Sequence, residues 1–296
     1  MSILGSETMP MDPNEAACFV EQVTNINRTP FLVGPPGVGK TDCIHQLGKK
    51  LGLPVFTRLL SQYEPSDFVG LPHIYDDSKG RKRTKFAVPE AFDFDRPHIL
   101  FLDEFAQADV AVQRAASEIV LQHTVGGIPL APGSRVVAAS NRRKDRAGVT
   151  DILGHNKSRL VTAQVSVNRD QWLAWGGANG VDLSVLAYIS HRGESLLAKD
   201  TKGDSYPCPR TWVAVSDAII AHIAGAVTER MLPAIVAGCV GSVEGGAFLQ
   251  FRETLEERPT MKEIVETPAA AKIPKKHPDQ TQVAAMVLSN LEGVSM

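Results

Sequence analysis

The stretch FLVGPPGVGKTDCIHQL, residues 31–47, determines the predicted fold. A short apolar run breaks into glycine and proline residues. A helical pattern then begins, with Ile44 and Leu47 on one face, and ends at Gly52. Residues 34–41 match the pattern G-x-x-x-x-G-K-[ST] at every position, in the strand–loop–helix order that this motif requires. The alternative is a Gly/Pro turn that only caps a helix.

A loop with this pattern is suited to binding phosphate. Its glycines allow backbone N–H groups to turn towards phosphate oxygens, and the helix N-terminus adds a partial positive charge. Lys40 is expected to reach the β- and γ-phosphates, and the Thr41 hydroxyl to ligate Mg²⁺. The predicted nucleotide-binding residues are Gly34, Pro35, Pro36, Gly37, Val38, Gly39, Lys40, Thr41 and Asp42.

Two carboxylates end the second apolar run of the chain, HILFLDEF. Residues 99–102 predict a buried parallel strand, because such strands are apolar on both faces. Carboxylates at the C-terminal end of such a strand lie where open α/β sheets bind ligands. Asp103 is expected to hold Mg²⁺, and Glu104 to accept a hydrogen bond from the attacking water. The alternative is an acidic pair that caps a helix.

A third apolar run, SRVVAASN, ends in Asn141. Its amide could orient the same water from the other side, whereas its spacing alone favours an asparagine in a turn. The functional interpretation depends on the fact that three apolar runs each end in residues suited to phosphate chemistry.

The order of the predicted elements indicates an α/β fold. An opening helix over NEAACFVEQVTNI precedes strands that alternate with helices, as in a mostly parallel sheet covered on both faces. From about residue 168 the pattern becomes helical, with glycine stops. We therefore predict a P-loop NTPase three-layer αβα sandwich with a mostly parallel five-stranded sheet, followed by an all-α lid domain. The nucleotide-binding core is predicted over residues 1–167, and the helical lid with a C-terminal extension over 168–296. Within the extension, a linker at about 266–280 precedes a terminal amphipathic helix. The strands are predicted at 31–34, 54–59, 99–103, 135–140 and 161–167.

These motifs together resemble those of AAA+ ATPases, and specifically of the MoxR-like branch, in which GPPGVGKT, hhhLDE and a strand ending in SN or NR recur. Further blocks extend the resemblance from about residue 15 to about residue 265, among them SDFVGLPHIYDD, DQWLAWGGANGVDLSVLAYI and YPCPRTWVAVSDAI. The phosphate-loop and Asp-Glu blocks are specific to the ATPase superfamily, whereas the order of the other blocks indicates the branch. The resemblance implies an ATPase that uses ATP and Mg²⁺.

The resemblance also implies two catalytic arginines. HNKSRLV is similar to the segment in which the family has Leu-x-x-Arg-Phe, so Arg159 corresponds to an arginine finger that reaches the neighbouring subunit's site. Leu160 stands where phenylalanine is usual, which leaves the arginine intact. CPRTW is similar to the sensor-2 segment that opens a lid helix, so Arg210 would contact the γ-phosphate. Without the resemblance, Arg159 is a surface residue before a strand and Arg210 a solvated charge at a helix end.

Composition and charge argue against several classes of protein. The formal net charge is −2, which gives no reason to expect tight attraction to nucleic acid or to membranes. The N-terminal residues lack a basic region and a sustained apolar run, so we expect no signal peptide. No stretch is long and apolar enough for membrane insertion. Four cysteines without Cys-x-x-Cys spacing indicate reduced thiols and a cytoplasmic location.

The expected function is ATP hydrolysis in a homo-oligomeric ring. The resemblance implies a hexamer that remodels, activates or helps to load a metal into a client protein, and family members commonly work with a partner that carries a von Willebrand factor A domain. Two alternatives remain, namely a nucleic-acid-associated motor or loader and a nucleotide-gated scaffold with little turnover. The basic segment KGRKRTK, residues 79–85, is either a solvated turn or a surface for an anionic partner or a pore.

Overall fold

A computed structural model describes residues 10–87, 89–92, 95–142, 145, 152–197 and 203–256. These residues divide into two compact units. The first unit runs through Asn168 and also holds Cys208–Arg210, whereas the second begins at Arg169 and holds the other residues described after it. The linker predicted at about 266–280 and the terminal helix predicted after it lie outside the described residues.

The first unit contains a parallel sheet and two small antiparallel hairpins. In chain order, its strands are β1 (Pro10–Met11), β2 (Thr29–Val33), β3 (Val55–Leu59), β4 (Leu71–Asp76), β5 (Lys82–Ala87), β6 (Ile99–Asp103), β7 (Thr124–Val125), β8 (Ile128–Pro129), β9 (Arg135–Ser140) and β10 (Leu160–Val165). The parallel sheet has the order β1-β10-β2-β9-β6-β3. The hairpins pair β4 with β5 and β7 with β8.

The predicted α/β fold is confirmed, but the sheet has six strands among the described residues instead of the predicted five. The additional strand is β1, which pairs in parallel with Gln164 and Val165 of β10. Two residues carry no periodic pattern, so only their tertiary pairing defines this strand.

The central strands of the sheet are buried. All five residues of β2 are buried, as are the first four of β6. Because successive side chains of a strand point to opposite faces, this burial means that both faces of the sheet are covered. The rings of Phe31 and Phe105 meet edge to face in the core, with their centroids 6.2 Å apart.

Helices connect the strands of the first unit. They are α1 (Pro13–Asn25), α2 (Lys40–Leu51), α3 (Ser66–Val69), α4 (Val110–Gln122) and α5 (Gly154–Lys157). Helix α1 begins with a capping box, in which Asp12 and Glu15 each bind the other's backbone N–H. Helix α2 directly follows the glycine loop, buries Ile44 and Leu47, and ends at Gly52, as the sequence predicts.

The regular secondary structure of the second unit, in the residues described, consists of helices joined by turns and loops. Its helices are α6 (Arg169–Ala178), α7 (Leu183–His191), α8 (Pro209–Ile223), α9 (Leu232–Val240) and α10 (Ser242–Glu256), of which the first two residues of α8 group with the first unit. Tyr188, Trp212 and Phe248 pack together with ring centroids 5.4–5.6 Å apart. The Trp212 indole donates to the carbonyl of Ser195 at 2.8 Å, so this tryptophan is part of the core. No helix in the described part of the chain is long and apolar enough to span a bilayer.

Candidate nucleotide-binding site

The loop of residues 34–39 connects β2 directly to α2. Gly37 and Gly39 have φ values of +74° and +94°, a conformation that residues with a side chain rarely adopt. A Cβ atom on Gly37 would also lie 2.5 Å from Sγ of Cys208, so the position needs glycine for space as well. The loop ends at the N-terminus of α2, where unpaired N–H groups and the helix dipole favour a bound anion.

The remaining loop residues differ in exposure. Pro35 and Val38 are buried, Pro36 is half-buried, and Asp42 is exposed in the first turn of α2. A carboxylate in the first turn stabilises a helix through its dipole. The structure therefore gives Asp42 a local role in the helix, and its predicted contact with nucleotide stays a prediction.

Lys40 is buried and its ammonium group donates three hydrogen bonds. Nζ lies 2.9 Å from the carbonyl oxygen of Gly34, 3.0 Å from that of Pro35 and 3.0 Å from Oδ1 of Asn141. Burial lowers the pKa of Lys40 to about 8, although the nearby charge of Asp103 acts in the opposite direction. All three acceptors are neutral, so the positive charge still favours a bound anion such as a phosphate.

Thr41 and Asp103 are hydrogen-bonded to each other. The Thr41 hydroxyl donates to Oδ2 of Asp103 at 3.0 Å. Thr41 lies in the first turn of α2, whereas Asp103 is the last residue of β6. Hydroxyl and carboxylate oxygens are the ligands that Mg²⁺ prefers in nucleotide sites. The two residues predicted to hold the metal are thus adjacent in the structure.

Glu104 has an unusual backbone conformation. Its φ is +56°, and its N–H donates to Oδ1 of Asp103 at 2.8 Å. Such a conformation costs on the order of 1–3 kcal/mol in a residue other than glycine, and strain of this kind clusters at functional sites. The Glu104 carboxylate accepts a hydrogen bond from the hydroxyl of Ser61, which follows β3.

Sequence reasoning missed three polar residues of this site. Ser61 binds the Glu104 carboxylate, and Gln107 accepts a hydrogen bond from the Ser140 hydroxyl at 2.7 Å. Asp145 accepts two hydrogen bonds from the guanidinium group of Arg142, at 2.7 and 2.8 Å. Ser61 lies two residues after β3, near the carboxyl end of a predicted strand, which is a signal that could have found it. The other two residues carry no comparable signal.

Arg210 lies beside the glycine loop. Its own Cβ is 3.4 Å from the place where Gly37 would carry one, and its charge contributes to the lowered pKa of Lys40. The residue is exposed and follows Pro209, the first residue of α8. The structure therefore brings Arg210 close to the other predicted nucleotide-binding residues.

Arg159 lies at the amino-terminal ends of the parallel strands, whereas the glycine loop lies at their carboxyl ends. It is exposed and directly precedes β10, whose first residue, Leu160, pairs with Thr29 at the start of β2. The glycine loop follows Val33, which pairs with Gln164. The intervening four steps of strand span about 13 Å. The structure therefore does not bring Arg159 together with the phosphate loop of its own chain.

A family model described as an AAA domain of the dynein-related subfamily matches residues 30–159. Residues 30–159 are thus similar to an AAA domain. The match includes Lys40, Glu104 and Arg159, and it ends before Arg210. An AAA domain indicates nucleotide binding and, in general, ATPase activity. The match does not distinguish the MoxR-like branch from others.

Three solved structures are similar to the chain. NtrX from Brucella abortus is 14% identical with a TM-score of 0.45, and the match covers 85% of this chain and 62% of that one. A proposed ATPase from Cytophaga hutchinsonii is 15% identical with a TM-score of 0.42, over 80% of this chain and 76% of that one. A RuvB variant from Thermotoga maritima is 13% identical with a TM-score of 0.40, over 90% and 70%. The chain thus spans less than two thirds of the NtrX structure, and curated proteins gave no match.

Proposed function

We propose that this chain is a MoxR-like AAA+ ATPase that hydrolyses Mg·ATP in a homo-oligomeric ring and uses the energy to remodel or activate a client protein. The observation that carries the proposal is the meeting of Lys40, Thr41, Asp103 and Glu104 beside a glycine loop and a helix N-terminus. Catalysis at such a site consists mainly of positioning and electrostatic stabilisation.

The residues present fit a nucleoside triphosphate with a magnesium ion. The Lys40 ammonium would exchange neutral carbonyl partners for phosphate oxygens, and Thr41 and Asp103 would provide oxygen ligands to the metal. Mg²⁺, when bound, offsets the negative charge of the β- and γ-phosphates. Arg210 would contact the γ-phosphate from beside the loop.

Glu104 and Asn141 would position the attacking water. The Glu104 carboxylate now bonds Ser61, and the Asn141 amide oxygen now bonds Lys40. When Lys40 turns to a phosphate, the Asn141 oxygen becomes available to the water. A Glu104 carboxylate that leaves Ser61 could then accept a proton from that water, which assists its attack.

The position of Arg159 supports a site shared between two chains. The phosphate loop of the same chain lies at the other ends of the strands, so Arg159 could reach only the phosphate bound by a neighbouring copy. There its guanidinium group would offset charge that develops on the γ-phosphate, an effect of about 10³–10⁵-fold in rate. Head-to-tail contacts of this kind close into rings, and we propose a ring of six chains.

The client is proposed from the family resemblance, and capture experiments test it. A Glu104→Gln protein in ATP should hold its client, with a von Willebrand factor A domain protein among the retained partners. A Lys40→Ala protein should release it, because the phosphate contacts of Lys40 are lost. The measurement is mass spectrometry of the proteins retained on each immobilised variant in ATP, with ADP as the nucleotide control. Identical sets of proteins on both variants would contradict a nucleotide-driven client cycle.

The hairpin of β4 and β5 favours a second candidate, a nucleic-acid-associated motor or loader. All residues of both strands are exposed, and the hairpin carries the basic segment 79–85. Arg81 and Arg83 both pair with Asp77, at 2.8 and 3.2 Å. The exposed ring of Tyr75 lies on the same hairpin. Exposed basic and aromatic side chains together are typical of surfaces that bind single-stranded nucleic acid.

Replacing Lys79 and Lys85 with glutamine tests this second candidate. Nucleic-acid binding through the hairpin should weaken steeply with salt, and the double variant should reduce the salt slope by about two. The measurement is the fluorescence anisotropy of labelled DNA at rising salt concentration, together with ATP hydrolysis with and without DNA. Glutamine at Lys49 and Lys50 of α2 removes the same charge elsewhere and should leave the slope unchanged. A wild-type chain that does not bind DNA would contradict this candidate.

A further inference from the structure

Asn156 is a fully buried polar residue in the segment that leads to Arg159. It lies on α5, and its side chain is 0% exposed. Its backbone carbonyl accepts a hydrogen bond from the N–H of Arg159 at 3.1 Å. The nearby Ile152 and Leu160 belong to the hydrophobic core of the first unit. The turn that carries Arg159 is therefore anchored in that core on both sides.

A second buried amide, Gln113 of α4, links Asn156 to the segment of Glu104. Gln113 is also 0% exposed, and its Nε2 donates to the carbonyl of Ala108 at 3.2 Å. Nδ2 of Asn156 donates to the carbonyl of Gln113 at 3.5 Å. The N–H of Ala108 donates to the carbonyl of Glu104 at 3.2 Å. Hydrogen bonds thus connect the backbone of Glu104 to that of Arg159.

Stability alone does not account for the amide of Asn156. A buried amide has lost its water, and Oδ1 of Asn156 has no hydrogen-bond partner in the described part of the chain. A leucine, which is similar in shape, would leave no unsatisfied polar side-chain atom at this position. A polar side chain buried in this way therefore indicates a role beyond packing.

We propose that Asn156 and Gln113 are positioning residues that couple the Glu104 segment of one chain to the arginine that this chain offers to its neighbour. The inference rests on the proposed function, because it requires Arg159 to act in trans. An ATP-loaded site would thereby set the position of Arg159 in the next site of the ring. In a head-to-tail ring, each site would thereby affect only one of its two neighbours.

The geometry provides a reason for this coupling. Glu104 is in a strained left-handed conformation, its carboxylate accepts from Ser61, and its carbonyl accepts from the N–H of Ala108. A change of partner at the carboxylate would allow this strained backbone to relax, and the hydrogen bond would carry the shift to Ala108. The bond between Asn156 and Gln113 is near the long limit for hydrogen bonds, so a small displacement makes or breaks it.

Rings assembled from two kinds of full-length chain test the coupling. The acceptor chain carries Arg159→Ala, so its own site is intact but it offers no arginine. The donor chain keeps Arg159 and has an inactive site, either Glu104→Gln, which keeps ATP, or Lys40→Ala, which does not. Phosphate release then comes from acceptor sites that meet a donor arginine.

We expect ATP-loaded donors to activate the acceptors about fivefold or more over empty donors, since coupling between sites is typically ~5–150-fold. Adding Asn156→Leu to both donors should reduce this ratio to about one, because the connection to Arg159 is lost. Adding Ser117→Ala is the matched control. The Ser117 hydroxyl donates to the same Gln113 carbonyl at 2.7 Å, and its removal leaves the Asn156 side chain and its bond to Gln113 in place, so the ratio should persist.

The coupling is contradicted if the ratio of acceptor activities, with ATP-loaded over empty donors, is unchanged by Asn156→Leu. It is also contradicted if this ratio is near one with the native Asn156. Neither result contradicts the shared site. Acceptors that no donor activates contradict the shared site itself, and the coupling with it. Thermal unfolding and ATP affinity of the Asn156→Leu chain show whether it folds. Gln113→Leu removes the other side-chain amide and should likewise reduce the ratio to about one. An unchanged ratio in this variant would also contradict the coupling.

Discussion

Replacing Glu104 with glutamine is expected to leave ATP bound and to lower its hydrolysis by about 10²–10⁴-fold, the usual contribution of a general base. Glutamine has the shape of glutamate but cannot take a proton from water. The contacts of Lys40 and Thr41 with the nucleotide do not involve this side chain, so binding should persist. The measurement is phosphate release from ATP, set against equilibrium binding of labelled ATP to the same protein.

Ser61→Ala is the matched control for this substitution. It removes the other member of the Ser61–Glu104 hydrogen bond and keeps the carboxylate, so hydrolysis should be retained. Equal turnover by the wild type and Glu104→Gln would contradict the role given to this residue. A wild-type chain that binds ATP and releases almost no phosphate would instead favour a nucleotide-gated scaffold.

The sequence predicts the strand–loop–helix unit well because its signals are local. Glycines with positive φ and the change from an apolar run to an amphipathic pattern fix where β2 ends and α2 begins. Asp103 and Asn141 follow apolar runs that form neighbouring parallel strands, β6 and β9. Parallel strands bring their carboxyl ends to one edge, so the meeting of such residues follows from the fold class.

Other features depend on tertiary contacts that no local pattern shows. Strand β1 exists only because Pro10 and Met11 pair with β10. Helix α9 is apolar at nearly every position, so it has no amphipathic period to predict it. The partners of Ser61 and Gln113 are likewise set by the folded chain, since Ser61 lies 43 residues from Glu104.

The two arginines depend on the resemblance alone at the level of sequence. Nothing in the spacing of Arg159 or Arg210 distinguishes them from other exposed arginines. The structure separates them in space, since Arg210 lies beside Gly37 and Arg159 lies at the amino-terminal ends of the parallel strands. Because the two arginines lie at opposite ends of the parallel strands, a second copy of the chain is required to complete the site that we propose.

Mixed rings of Lys40→Ala and Arg159→Ala chains are therefore expected to regain hydrolysis that neither variant shows alone. One variant lacks the phosphate-binding lysine and keeps its arginine, whereas the other lacks the arginine and keeps an intact phosphate loop. Each variant alone should lose about 10³-fold or more in rate. In an equal mixture about a quarter of the contacts in a head-to-tail ring pair the two intact halves, which sets the upper limit of recovery. The measurement is phosphate release after the two chains are dissociated, mixed and reassembled.

Arg28→Ala provides the matched control, because Arg28 is exposed and precedes β2 at the same ends of the strands as Arg159. Loss of this neighbouring charge should leave hydrolysis close to that of the wild type, since only the residue that enters the adjacent site affects the γ-phosphate. Dilution gives an independent measurement, because the rate per chain should fall as the assembly dissociates. A monomer that hydrolyses ATP at an undiminished rate at every dilution, or mixed rings that recover nothing, would show that each chain completes its own site.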